Sequence, residues 1–202
     1  LFDAGDVVEP HNDVPCTCTL QFVARSKKLH LHVNMRSNDA FKGLPHDVFS
    51  FTMLQEVAAR TLGLGLGHYH HSVGSLHLYT DDLPKAEQFL SEGLQDDLPM
   101  PPMPRGDPKE GLSALENAEK DIRTTKKMPV MPSTMPAYWR DLVRLLAIFA
   151  SSSSREIVKL KNEMSSKTFE NFIRKRHQQR IRNADLPLFD RTMEKRDARS
   201  SS

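Results

Sequence analysis

The sequence predicts an α+β fold in which a mixed β-sheet is covered by helices. Residues 16–25 are rich in Thr and apolar side chains. Residues 29–36 alternate strictly, with Leu29, Leu31, Val33 and Met35 on one face and His30, His32, Asn34 and Arg36 on the other. A polar turn at residues 26–28 separates the two runs, so they read as a hairpin with one buried face. Apolar residues then recur at helical spacing after Pro45 and again after Pro136.

The remaining elements follow in order. Residues 1–13 are acidic and read as a loop or connection. A Lys42-Gly43-Leu44-Pro45 turn leads into a helix at about 47–62, where Val48, Phe51, Leu54, Val57, Ala58 and Leu62 share a face. Asp47 is placed to cap or begin that helix, and Gly63, Gly65 and Gly67 to end it. Residues 68–79 read as one strand. Asp82 and Pro84 open a short helix that stops near Gly93. Residues 95–108 carry five of the 13 prolines and form an irregular connection. A mostly polar helix is expected at 108–123 and a Pro/Met linker at 128–136. The next helix buries Trp139, Leu142, Val143, Leu146 and Phe149. Four serines at 151–154 interrupt it, and a basic helix follows at about 155–182, carrying Ile157, Leu160, Met164, Phe169, Phe172 and Ile173. The tail at 191–202 reads as frayed.

The totals narrow the class of function. The 202 residues suffice for a single domain spanning the chain, with a basic helix and tail at 155–202. The chain starts at Leu1 and not Met, partway into an element, so a preceding N-terminal portion is expected. Net charge is only +2, with 28 Lys and Arg against 26 Asp and Glu. That balance argues against nucleic acid as partner. No apolar run approaches the roughly 20 residues of a membrane span, and no signal peptide is visible. Cys16 and Cys18 lie too close for a disulfide to close a useful loop. Both read as reduced thiols, and the protein as cytoplasmic.

One stretch gathers chemistry. Residues 36–47 begin with a cation and a hydroxyl, Arg36 and Ser37, suited to an anion. They turn at Gly43-Leu44-Pro45 and end in the Asp47 carboxylate. Twenty residues upstream of Arg36 lies Cys16, in Val-Pro-Cys-Thr. Taken with Pro15, Gln21-Phe22, Asp39, Gly74 and His77-Leu78-Tyr79, this order and spacing resembles the thymidylate synthase family over roughly residues 12–95. The family includes thymidylate synthases and pyrimidine nucleotide hydroxymethylases, one-carbon transferases that use 5,10-methylenetetrahydrofolate.

The resemblance implies roles residue by residue. Cys16 is the thiolate that adds to C6 of the pyrimidine. Arg36 and Ser37 belong to the nucleotide phosphate site. Asp39 lies near the folate pterin, with Gly43 as a backbone contact beside it, and His77 and Tyr79 touch the ribose hydroxyl. Gln21 takes no assigned role. It also implies a homodimer with sheets face to face, and a pyrimidine nucleoside monophosphate as substrate. The chemistry suits the residue types. Thiolate addition at C6 makes C5 a nucleophilic carbon able to attack an activated one-carbon unit. A thiolate calls for a nearby cation, and Arg36 is the candidate.

Asp47 departs from the family, whose synthases carry Asn after the Gly-x-Pro-x corner. An Asn amide matches uracil, which presents the O4 acceptor and the N3–H donor. A carboxyl sharing one proton with N3, and accepting from the N4 amino group, matches cytosine. A mismatched buried polar edge costs about 1–3 kcal/mol per group. The residue therefore points to dCMP or CMP, and to 5-hydroxymethylation as in the family's cytidylate hydroxymethylases. Thr17 and Ser75 also depart, from His and an acidic residue respectively. The rivals are a thymidylate synthase methylating dUMP and a catalytically silent relative acting as a binding or scaffold protein.

Blander readings stand beside these. Cys16 could be a buried structural thiol, and Asp47 only a helix cap. His68, His70, His71 and His77 invite a zinc site, but no Cys or acidic partner completes a ligand set, so no metal is expected. The Gly63-x-Gly65-x-Gly67 run lacks phosphate-loop spacing. The basic run from Arg174 to Arg182 reads as a solvated helix face.

Overall fold

The computed structural model describes residues 14–93 and 97–185, with side chains through residue 178. The α+β expectation holds: among these residues a three-stranded mixed sheet and a two-stranded pair accompany six α-helices. β1 (Thr17–Arg25) and β2 (Lys28–Met35) form the expected antiparallel hairpin. Ser26 and Lys27 turn it with φ of 52° and 57°, the left-handed conformation that matches a two-residue turn to the strands' twist. β3 (Asn38–Asp39) follows at once, and then α1 (Gly43–Thr61). α1 is the crossover that returns the chain to β4 (Gly65–Val73), which runs parallel to β2. β5 (Leu76–His77) pairs in parallel with β3.

The alternation of β2 sets the core. Leu29, Leu31, Val33 and Met35 are between 0% and 6% exposed, and Cys16, Leu20, Phe51 and Tyr69 pack against the last three. Each such aliphatic side chain contributes about 1.5–3 kcal/mol by leaving water. Buried Gln55 fastens α1 to the sheet. Its Nε2 donates to the Leu29 carbonyl at 2.8 Å and reaches the His68 carbonyl at 3.3 Å.

Several boundaries differ from expectation. α1 begins at Gly43, four residues before the expected start, because Pro45 sits in the first turn, where a missing N–H costs nothing. Asp47 therefore lies inside the helix and does not cap it. Gly63 alone ends the helix, with φ +65°, while Gly65 and Gly67 belong to β4. Gly67 is small because a Cβ there would stand 2.7 Å from the His30 ring. The expected strand at 68–79 is two, β4 and β5, broken at Gly74-Ser75. A Cβ at Gly74 would come within 3.0 Å of the Arg36 carbonyl oxygen. A single 3-10 turn (Thr80–Asp82) then leads to α2 (Leu83–Ser91). Asp82 is buried and pairs with Lys42 at 2.5 Å and Lys85 at 3.6 Å, tying the start of α2 to the start of α1.

By contact the chain divides into two compact units. The first runs through Asp97 and adds Met103–Pro108; the second holds Leu98–Pro102 and everything from Lys109 on. The second unit is helical: α3 (Lys109–Thr125), α4 (Ala137–Ala150), α5 (Ser154–Asn162) and α6 (Glu170–Asp185). Trp139 and Val143 are buried as expected, but Phe149 is exposed, with the Arg176 guanidinium 5.7 Å from its ring centre. The basic helix expected at 155–182 is broken into α5 and α6. The buried Asp141 carboxylate causes the break by accepting the N–H groups of Ser165 and Ser166 at 2.9–3.0 Å, which takes those amides out of a helical ladder. Residues 1–13, expected to be a loop or connection, and the tail at 191–202, expected to be frayed, lie outside the described residues. Among the described residues no helix is long and apolar enough to cross a membrane.

Gln55→Ala should lower stability by about 1–3 kcal/mol, since it strips a donor from a buried carbonyl. Urea unfolding measures this, and a loss under about 0.5 kcal/mol would show that Gln55 fastens nothing.

Candidate active site

The carboxyl ends of β2 and β4 and the amino end of α1 meet in one place, and most residues singled out above sit there. Cys16 precedes β1, half-buried against the β2 core. The Arg36 backbone N–H donates to the Cys16 carbonyl at 2.9 Å, closing the open end of the hairpin. The Arg36 side chain folds back over the same segment, with Nη2 donating to the Val14 carbonyl at 2.7 Å and Nε to the Pro15 carbonyl at 3.2 Å. The Cys16 thiol contacts that Val14 oxygen too, at 3.9 Å. Thiol and guanidinium thus share one acceptor. A guanidinium has five N–H donors, so three remain for an anion.

Ser37 and His77 meet through the short β3/β5 pair, with Oγ 3.4 Å from Nδ1. The His77 and Tyr79 rings stack edge to face at 4.9 Å, and Tyr79 is exposed. Asp39 turns its carboxylate onto the start of α1, accepting from the N–H groups of Phe41 (3.0 Å), Lys42 (2.9 Å) and Gly43 (3.4 Å). Those bonds, the one from Phe41 foremost, hold its carboxyl below the ordinary value of 3.8. The side chain of Lys42 shifts upward, chiefly through its bond to Asp82. Gly43 has no room for a side chain, because a Cβ would collide with Asn38 Oδ1.

Asp47 lies one helical turn before Phe51 on the same face of α1, and Phe51 packs on the cluster that holds Cys16. Its charge reaches Tyr69. Burial first, and the Asp47 charge second, push the Tyr69 phenol up to about 12, so it stays protonated. The Tyr69 hydroxyl lies 2.6 Å from His71 Nδ1. His71 Nε2 in turn is 3.5 Å from Asn38 Nδ2, which also contacts the Met35 sulfur at 3.3 Å.

This Tyr69–His71–Asn38 chain is what sequence reasoning missed. Asn38 and Tyr69 had no assigned part, and His71 entered only through the histidine cluster. The signal was available in the period-two pattern of β4, which puts Tyr69 and His71 on the core face. The cluster itself divides. His68 and His70 sit on the opposite sheet face, beside His30 and His32, where the His32 and His70 rings stack at 4.5 Å. Among the described residues no three His, Cys, Asp or Glu side chains stand where they could hold a metal ion.

A family model described as thymidylate synthase matches residues 2–124, over half of the 202. The chain belongs to the thymidylate synthase family. Among solved structures it is similar to the thermostable thymidylate synthase A from Bacillus subtilis, at 35% identity over 42% of this chain, with a TM-score of 0.39. The chain spans only 30% of that protein's length.

The capping bonds make Asp39 a pH-dependent contributor to stability. Its depressed value means the contribution is full above the ordinary 3.8 and is lost as pH falls through the folded value. Urea midpoints should place Asp39→Asn below the parent at pH 6, with the gap closing under pH 3.8. A gap that is flat with pH would mean the carboxylate's charge plays no part.

Proposed function

We propose that the chain forms the nucleotide-reading part of a folate-dependent transferase that adds a one-carbon unit to C5 of a pyrimidine nucleoside monophosphate. The base is cytosine, and the reaction is 5-hydroxymethylation of dCMP or CMP. The observation that carries this is the convergence of the Cys16 thiol and the Arg36 guanidinium on the Val14 carbonyl, with Asp47 on the helix face that covers them.

The steps follow from those placements. Arg36, with its remaining donors, and the Ser37 hydroxyl take the phosphate. His77 and Tyr79 meet the sugar hydroxyl. The Cys16 sulfur forms a bond to C6, and the C5=C6 electron pair moves toward C5, which becomes the carbon nucleophile. Once the one-carbon unit is on C5, the C5 proton leaves, water adds at the exocyclic carbon, and the S–C6 bond breaks to return the Cys16 thiolate and restore C5=C6. The thiol and the guanidinium meet the same Val14 carbonyl, which keeps the attacking sulfur next to the cation that takes the phosphate. Methylenetetrahydrofolate supplies the one-carbon unit when bound. Asp39 fits it in one respect: three of the roughly four lone-pair positions of a carboxylate are used by the helix start, so one is left for a pterin donor. Gly43 is accounted for by Asn38.

Cytosine selection rests on Asp47. A helix cap was the main rival explanation of that residue, and α1 starting at Gly43 removes it. The protonated Tyr69 beside Asp47 adds no second negative charge there, so one proton between carboxyl and N3 completes the edge. Homodimer formation belongs to the same reading. The sheet face away from α1 carries exposed Gln21, Asn34, His70 and Ser72, a polar surface available to a second sheet.

Tritium release from C5-labelled dCMP, CMP and dUMP tests the base, using the full-length enzyme with methylenetetrahydrofolate. Release is expected from a cytidylate, and release from dUMP alone would favour the methylating rival. Asp47→Asn should shift the ratio toward dUMP by about tenfold to a hundredfold. Cys16→Ser should cut turnover by at least about a thousandfold. No release from any nucleotide, with no covalent adduct to a 5-fluoropyrimidine nucleotide, would leave the silent-relative reading standing.

A further inference from the structure

The first unit contains a cavity of about 350 Å³ at the carboxyl end of α1, lined by Arg60, Gly63, Leu64, Gly65, Arg105 and Gly106. Gly43 and Arg60 are separated by roughly 25 Å at 1.5 Å per residue, so this is not the nucleotide site at the helix's other end. The N–H groups of Leu62, Gly63 and Leu64 bond the carbonyls of Ala58, Arg60 and Ala59 at 2.8–3.1 Å. The helix end thus presents few free acceptors, and the charge in the lining comes from two guanidinium groups with no carboxylate among them.

Arg60 is held in place. Its side chain is 16% exposed, and Nη2 pairs with Glu56 Oε1 at 2.9 Å. Its Nε is buried and has no hydrogen-bond partner. A buried donor left unpaired costs about 1–3 kcal/mol, and here it belongs to a group lining a cavity. The same Glu56 oxygen accepts the Met103 N–H at 2.9 Å, so one buried carboxylate orients Arg60 and anchors the segment that carries Arg105. Gly106, with φ +100°, turns that segment at the rim. Glu56 compensates Arg60, which leaves the exposed Arg105 as net positive charge in the lining.

We propose that this cavity is a second oxyanion site, one that takes the phosphoryl group of a small phosphomonoester between Arg60 and Arg105. Two guanidinium forks suit a tetrahedral dianion with several acceptor oxygens better than a single carboxylate. A volume near 350 Å³ lies at the lower end for small-molecule sites, so it admits a phosphate with a sugar-sized body attached.

Inorganic phosphate is the probe, applied to the full chain at constant ionic strength set with chloride. Arginine modification by phenylglyoxal, read peptide by peptide, should slow at Arg105 by at least about threefold in millimolar phosphate. Calorimetric phosphate binding should survive Arg36→Ala and weaken about tenfold in Arg105→Ala, the loss of one charged pairing. Two results would overturn the proposal: an Arg105 modification rate indifferent to phosphate, or protection that disappears in Arg36→Ala.

Discussion

The Asp39 carboxylate reaches across the joint between β3 and α1 and accepts three successive backbone N–H groups. Most of the site's arrangement depends on that contact. The amides it satisfies are among the donors a helix start leaves without partners, so it fixes where α1 begins. Everything upstream, Arg36, Ser37 and Asn38, is then held at the end of β2. Everything downstream, with Asp47 on the second turn, is aimed over the core face. No side chain of the N-cap residue Lys42 shares this task. Its ammonium instead pairs with buried Asp82, which sets α2 against the same joint.

A second constraint is steric. Gly43 meets Asn38, Gly74 meets the Arg36 carbonyl, and Gly67 meets the His30 ring. In each case a side chain on the glycine would push apart two segments that must touch. The first two contacts bring β3 against α1 and the β4–β5 break against the end of β2. They let His77 reach Ser37 across a pair of strands only two residues long.

Much of this was legible in the sequence. The alternation of residues 29–36 fixed which side of β2 would be buried, and the spacing from Cys16 to Tyr79 carried the family. What was not legible was set by tertiary contacts. The start of α1 depended on a carboxylate four residues before Gly43 acting on backbone amides, and Asp47 at the expected boundary imitated a cap. The single long helix expected at 155–182 had good helical periodicity, but Asp141 from another helix captured its amides. Phe149 fitted the apolar stripe of α4 and yet faces outward against Arg176. The Tyr69–His71–Asn38 chain joins residues of modest individual signal, and only the parallel pairing of β2 with β4 brings them together.

That parallel pairing also orders events in time. The β1–β2 hairpin closes through a two-residue turn, so Cys16 and Arg36 become neighbours through contacts local in sequence, on the microsecond scale of hairpins. Tyr69, His71 and His77 arrive only after α1 has formed and the chain has doubled back, a non-local step that is slower because more chain must be ordered before any contact forms. On the folding path, Cys16 and Arg36 are therefore paired before Tyr69, His71 and His77 are in place. A chain emerging during synthesis would hold the Cys16 thiol and the Arg36 guanidinium on one carbonyl for an interval before α1 covers the β2 core face.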